Sequence, residues 1–279
     1  YLLKDYKNSI KQSKKAIKVA KSNKNNSILL SSYLINGAAI DDSGNTKKAI
    51  KVYKKAIKKF PDNYLLRYNL GYSFFKNKEY DKAQAMIEKA IALNPKHTTS
   101  HILLAHITRN KNLRVQSIMA MSHFLYLENL NHPVNVTARS KEAFSILKKQ
   151  TIGNVTKDGK NSITINLSMA DDDEFSSVNM LLSLIEASNR MTADSLNLSK
   201  NQRIHLFMKT FCNSLADKES NGAQFWKGKY LTVFQKLHEK ELVETFTNIL
   251  LLSSGKAEVA TWLNEHEVEV SKVEGLFLE

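Results

Sequence analysis

Two kinds of stretch alternate through the first hundred residues. An apolar run containing one small residue (Gly37, then Gly71) leads into a polar break at Asp42–Thr46, then Lys76–Tyr80. An amphipathic run with Ala49 and Ala56, then Ala83 and Ala90, follows and ends at Pro61, then Pro95. The pattern predicts helix, turn, helix and stop, because proline cannot continue a helix and pushes the residue before it out of the helical region. Sliding the sequence against itself by 34 residues superposes Gly37 on Gly71, Ala49 on Ala83, Ala56 on Ala90 and Pro61 on Pro95. The first stretch of the chain therefore reads as a repeated helical hairpin.

The small residues have a packing reason. Where two antiparallel helices cross closely, a large side chain forces the backbones apart, so Gly37 and Gly71 are expected to face Ala49 and Ala83. The period, together with Leu70, Gly71, Phe74, Ala83, Ile87, Ala90 and Pro95 in residues 64–97, resembles the tetratricopeptide repeat (TPR). Residues 30–63 keep Tyr33, Gly37, Ala49, Tyr53, Ala56 and Pro61 but carry Asn36 where leucine is usual. Residues 98–131 make a degenerate third unit, with Leu104 and Ala105 in place and Ser117, Met121 and Phe124 standing where small, aromatic and small residues belong. Upstream, Tyr6, Ile10, Ala16, Ile17, Val19 and Ala20 form a helical stripe, so residues 1–29 are expected to cap the array over 30–133.

From residue 134 the period is lost. Residues 134–279 read as a mostly helical C-terminal domain, with stripes at 138–150, 174–190, 200–217, 224–252 and 256–265. One break differs. Ile152–Thr156 and Ser162–Leu167 flank a turn-rich segment containing Gly159, which predicts a small β-hairpin. Asp171, Asp172, Asp173 and Glu174 precede an apolar helical stretch, where acids favour the positive end of the helix dipole. Phe225, Trp226, Tyr230, Phe234, Phe246 and Trp262 stand at core spacing. With the Ala120–Glu128 segment, these make the second half similar to the C-terminal portion of Bacteroidetes TPR proteins, a likeness that carries no chemistry. The fold class expected is all-α, a TPR superhelix followed by this helical domain.

The 279 residues carry 41 Lys and Arg against 27 Asp and Glu. The excess is local: residues 1–60 hold 15 Lys and 3 Asp, whereas 135–279 hold 17 basic and 19 acidic residues. Binding of nucleic acid or an anionic surface through residues 1–60 is thus an alternative function. However, Lys47, Lys48, Lys51, Lys54, Lys55, Lys58 and Lys59 alternate with Ala49, Ile50, Tyr53, Ala56, Ile57 and Phe60 at helical spacing, as a solvated face does. Arginine is sparse there and no stacking aromatics interleave, which disfavours nucleic acid. Cys212 stands alone, which excludes an internal disulfide framework. No apolar run reaches the roughly 18 residues of a membrane helix. A chain opening on Tyr1 instead of Met reads as trimmed or processed, so an exported, periplasmic or cell-envelope location is expected over a cytoplasmic one.

Catalytic patterns are missing from the sequence: it has no nucleophile elbow, phosphate-binding loop, dinucleotide fingerprint or His-Glu-x-x-His zinc motif. His97 falls in an inter-repeat turn and His101 at a packing position, so with His106 they do not read as a metal site. Cys212 follows His205 by seven residues, about 10 Å along a helix and too far for a catalytic dyad. No catalytic, cofactor or metal site is expected. Surface recognition of a protein or peptide is left. By the geometry of the family, the first helix of each pair lines the concave side of the superhelix. That implies inward positions at Leu34, Ala38 and Asp41, at Leu65, Tyr68, Tyr72 and Phe75, and at Ile102, His106 and Arg109. The family's carboxylate clamp for chaperone C-termini is not reproduced, since Asn69 agrees but Leu34, Ala38, Thr99 and Leu103 do not. The partner-binding expectation therefore rests on Leu65, Tyr68, Tyr72, Phe75, Ile102, His106 and Arg109, in a non-enzymatic scaffold. At spacings of three, four and three, the first four share one helix face, and Leu70 and Phe74 point to the packed side.

Overall fold

The computed structural model describes residues 5–132, 136–152, 155–157, 163–165, 173–195, 197–219 and 224–278. The chain divides into two compact units, Tyr1–Ile107 and Thr108–Glu279.

The first unit is a succession of antiparallel helices: α1 (Tyr6–Ser22), α2 (Asn26–Asp42), α3 (Thr46–Lys59), α4 (Tyr64–Lys76), α5 (Tyr80–Leu93) and the start of α6 (Thr98–Asn110). Each of α1 to α4 packs on the helix that follows it, and α2 also touches α4. Asn25, Asn45 and Asn63 cap α2, α3 and α4 by accepting an N–H from the first turn. The helix crossings are tight at the expected glycines, but the partners differ from the expectation. A Cβ on Gly37 would lie 2.4 Å from the Tyr53 ring, and one on Gly71 would lie 2.7 Å from Ile87 Cδ1. Tyr53 and Ile87 are one period apart, so the glycines make room for a bulky side chain; only the Ala83 backbone oxygen, at 3.3 Å, reflects the alanine contact foreseen. Ala49, Ala56, Ala83 and Ala90 are completely buried.

Asn36, the departure from the leucine usual in the repeat, is buried and donates to Ser13 Oγ of α1 at 2.9 Å. Ala20 joins this packed side of α1, whereas Val19 is 58% exposed and is not part of the capping stripe. Four of the turns between successive helices hold a residue in a left-handed conformation: Lys24, Gly44 and Lys78 in the first unit and Asn112 at the start of the second. The next residue donates its N–H five residues back, Asn25 to Ala20, Asn45 to Ile40, Glu79 to Phe74 and Leu113 to Thr108, at 2.9–3.1 Å. This is the Schellman closure, which satisfies carbonyls at the helix end.

The second unit is built around α7 (Arg114–Asn131), 15 of whose residues are buried, polar ones included. Around it stand α8 (Ala138–Ile152), α9 (Ser176–Ser195), α10 (Lys200–Leu215) and α11 (Gln224–Trp226), which runs through a π-helical turn (Lys227–Leu231) into α12 (Thr232–Glu239). Next come α13 (Val243–Leu251), a 3₁₀ turn (Leu252–Ser254), α14 (Ala257–Glu265) and α15 (Glu267–Leu278). The stripe foreseen as one helix over 224–252 is interrupted by a hairpin in which Glu241 is left-handed and Leu242 N–H donates to Leu237 O at 2.9 Å. The same Schellman closure thus recurs in the second unit. Strands β1 (Val155–Lys157) and β2 (Ile163–Ile165) pair antiparallel with Val155 opposite Ile165, and Ile152 ends α8 instead of beginning the hairpin. Asp171 and Asp172 lie outside the described residues. Asp173 is buried and accepts the Phe175 N–H at 3.0 Å just before α9, as an N-terminal acid should.

An unbroken series of aromatic contacts fills the core. Phe277 of α15 stacks on Tyr126 at 3.7 Å, and Phe246, Phe234, Phe211 and Phe207 continue the chain of rings. No helix among the described residues is long and apolar enough to cross a membrane.

Candidate peptide-binding face

The expected strip lies on α4, whose other side is committed to the core: Leu66, Leu70 and Phe74 are buried. Leu65, Tyr68 and Phe75 are half-buried and Tyr72 is 40% exposed. Tyr68 and Tyr72, one turn apart, stack with their ring planes 10° apart and centroids separated by 6.5 Å. Phase along the helix explains this, since residues four apart are neighbours on one face.

Three residues outside the expected set complete the strip. The His97 ring meets Tyr64 and Tyr68 edge-on, each at 5.0 Å, and its Nδ1 is 2.8 Å from Ser100 Oγ. Lys76 Nζ lies 5.8 Å from the Tyr72 ring centroid, a cation over an aromatic face. Tyr64 and Lys76 flank the strip at the two ends of α4 and could have been read from their spacing to Tyr68 and Tyr72. His97 could not, because it reaches α4 from the following turn.

Asp41, an inward position by family geometry, is buried and serves as a junction between repeats. Its carboxylate accepts from Thr46 Oγ1 at 2.7 Å, Ser73 Oγ at 2.7 Å and Lys76 Nζ at 2.9 Å. Burial works to lower the Lys76 pKa, but the bond and charge of Asp41 outweigh it and hold the ammonium above its usual range. Lys76 is therefore a fixed cation at the edge of the aromatic strip. Leu34 and Ala38 are half-buried on α2. On α6, Ile102 and His106 are half-buried and Arg109 is exposed, with Arg109 belonging to the second compact unit. His101 is buried, and its Nε2–H donates to Pro95 O at 2.7 Å, a structural tie.

The remaining reactive groups are placed for packing. Cys212 is completely buried, and burial pushes its thiol well above the usual range, which disfavours the thiolate a nucleophile needs. Burial lowers the His205 imidazole, with Glu244 and Asn248 opposing. No group of three metal-ligating side chains occurs among the described residues.

Residues 42–107 match the family model of the tetratricopeptide repeat. No curated protein matches the chain. Among solved structures, a crystal structure of MamA is 18% identical, covers 67% of this chain and 92% of its own, and has a TM-score of 0.44. A double mutant described as MamA RS-1 ArsTM is 17% identical, covers 66% and 86%, and has a TM-score of 0.44. At that score the assignment rests on the repeats themselves, with their period, glycine crossings and hairpin closures. Over residues 42–107 the chain carries the sequence match, the 34-residue period and the helical hairpins of the tetratricopeptide repeat.

Proposed function

We propose that the first unit is a non-enzymatic scaffold that binds a peptide or an extended protein segment along the α4 strip. The observation that carries this reading is the stacked Tyr68–Tyr72 pair, partly open to solvent and flanked by Lys76. Tyrosine suits such a surface because it supplies apolar area with a hydroxyl that tolerates water. The fixed Lys76 ammonium adds a preference for an acidic group or a C-terminal carboxylate beside the rings. Contact between α2 and α4 agrees with the family arrangement in which first helices form the inner layer. Ile102 and His106 extend the proposed surface to the part of α6 that lies in the first unit.

The test is selection of peptides from a random display library on the full chain, followed by affinity measurement with the double variant Tyr68→Ala, Tyr72→Ala. The expected outcome is at least a tenfold loss of affinity with a melting temperature only a few degrees lower. Unchanged affinity in a folded double variant overturns the reading.

A second reading, binding of an anionic polymer through residues 1–60, has one observation in its favour. The α1 and α3 lysines from Lys7 to Lys59 are all exposed. For duplex DNA the log–log salt slope should then shrink by roughly 0.9 for each phosphate contact removed when Lys47, Lys51, Lys55 and Lys58 become glutamine. An unchanged slope leaves those lysines as a solvated face.

A further inference from the structure

The second unit contains a cavity of about 490 Å³ between α8, the start of α10 and the turn entering α14. Its lining is chemically one-sided. Lys141, Lys148, Lys200 and Lys256 surround it, with Ser145, Ser253, Ser254 and Asn201 as the other polar groups and Phe144 as the apolar wall. No carboxylate lines it among the described residues. Lys141, Phe144, Ser145 and Lys148 follow at helical spacing, so α8 turns a single face to the cavity. Lys200 and Asn201 are the first two residues of α10, whose N-cap Ser199 exchanges hydrogen bonds with Gln202. The backbone N–H groups of Lys200 and Asn201 belong to the first turn, which has no partners within the helix and lies at the positive end of its dipole.

This concentration of positive charge is not a by-product of the overall balance. The chain's excess of 14 positive charges sits entirely in residues 1–107, which hold 21 basic and 7 acidic residues, while 108–279 hold 20 of each. A neutral unit thus places four ammonium groups around one cavity. Lys141, Lys148 and Lys200 form no ion pair among the described residues, and Lys256 has only an exposed contact with Glu258 at 3.2 Å. In the lining, the Ser253 hydroxyl donates to Asn129 Oδ1 at 2.8 Å, whereas the buried Ser254 Oγ has no hydrogen-bond partner among the described residues. Like charges held together repel unless an anion neutralises them, and clustered ammonium groups with a helix N-terminus are the protein groups that hold phosphate.

We propose that this cavity binds a ligand bearing more than one phosphate group, with Lys148 and Lys200 as its principal contacts and Lys141 and Lys256 at the rim. The volume falls in the range of small-molecule sites, roughly 300–1,000 Å³, and exceeds what a single inorganic phosphate fills. The shared chemistry is two or more phosphates carried on one molecule, which a soluble metabolite or a lipid headgroup can supply.

Calorimetric titration of the full chain with inorganic pyrophosphate, at fixed ionic strength, tests the soluble source. Co-sedimentation with vesicles containing cardiolipin, whose headgroup carries two phosphates, tests the lipid source. In whichever arm binds, Lys148→Gln with Lys200→Gln should weaken binding at least tenfold. The control variant, with Lys47, Lys51, Lys55 and Lys58 changed to glutamine, removes twice the charge from the other unit and should change binding less than twofold. Both cavity lysines are at least partly exposed, so the double variant should melt as the parent does in phosphate-free buffer; Lys148→Glu with Lys200→Glu gives a second, stronger variant. Absence of binding in both arms, or equal loss in the cavity and control variants, overturns the proposal.

Discussion

In the first unit, Gly71 leaves a gap that Ile87 fills from the next helix, and the same fit recurs one period earlier between Gly37 and Tyr53. In the second unit, Arg114 occupies the start of the buried helix α7 and is held by side chains far away in sequence. Its guanidinium donates to Gln150 O at 2.6 and 3.0 Å, Ser183 Oγ at 3.0 Å, Asn179 Oδ1 at 3.3 Å and Glu186 Oε2 at 2.9 Å. Shape complementarity between near neighbours builds one unit, and a long-range polar network organises the other. The first device can be repeated, because each hairpin needs only its neighbour. The second cannot, since every donor in it has a particular acceptor.

The sharpest way to break this contrast is to remove Arg114. Burial depresses its pKa, with Glu186 opposing, and both partners are only 7% exposed. Arg114→Ala would strand Glu186 without its countercharge and should cost about 3–5 kcal/mol in chemical denaturation. Replacing the pair together, Arg114→Met with Glu186→Leu, should recover much of that loss, since an apolar pair of similar volume is often no less stable than a buried ion pair. Cys212 offers an independent readout. Its buried thiol should react with a thiol reagent only when the second unit opens, so labelling should accelerate in Arg114→Ala and slow again in the paired variant. A paired variant as unstable as the single one would show that the hydrogen bonds to Gln150, Asn179 and Ser183 matter more than the charge pair.

Next in size are the helix crossings of the first unit. Gly71→Ala, Ala83→Leu and Ala90→Leu should each cost about 1–3 kcal/mol through overpacking. Combining Gly71→Ala with Ile87→Ala removes both the Cδ1 and the Cγ1 that a new Cβ would strike at 2.7 and 2.8 Å, so the double variant should be more stable than the sum of the singles predicts. Strict additivity would mean that Ile87 does not set the fit. Lys51→Leu, on the exposed side of α3, should stay within about 0.5 kcal/mol of the parent.

The same contrast explains what the sequence disclosed. The 34-residue period, the buried alanines and the two-sided character of α4 were legible because they are local and repeated. The partner of each glycine was not, since the period says which positions are equivalent without saying which of them touch. In the second half, the stripes located α8, α9, α10 and α14, but α15 went unread although Val273, Leu276 and Phe277 belong to the core. Its valines and Gly275 give a weak helical signal, and contact of Phe277 with Tyr126 fixes it. The break at Glu241 was hidden for a related reason, because no glycine or proline marks the left-handed residue. The lysine cavity drew residues from three separate segments, none basic enough alone to stand out.

The hairpin turns give a smaller effect than the crossings and join the two units in one comparison. Gly44, Lys78 and Glu241 occupy the same place in the same Schellman closure, with φ of 90°, 59° and 56°. A side chain in this conformation brings its Cβ close to the following carbonyl, which costs roughly 1–2 kcal/mol. Glycine escapes that strain but gives back part of the gain as unfolded-state entropy. Lys78→Gly and Glu241→Gly should therefore each stabilise by up to about 1 kcal/mol, and Gly44→Lys should destabilise by a similar amount. Equal gains at Lys78 and Glu241 would show that the turn is a local device, indifferent to whether shape or polar contacts hold the helices beyond it. A gain at Lys78 without one at Glu241 would mean that surrounding contacts in the second unit impose the turn and already offset its strain.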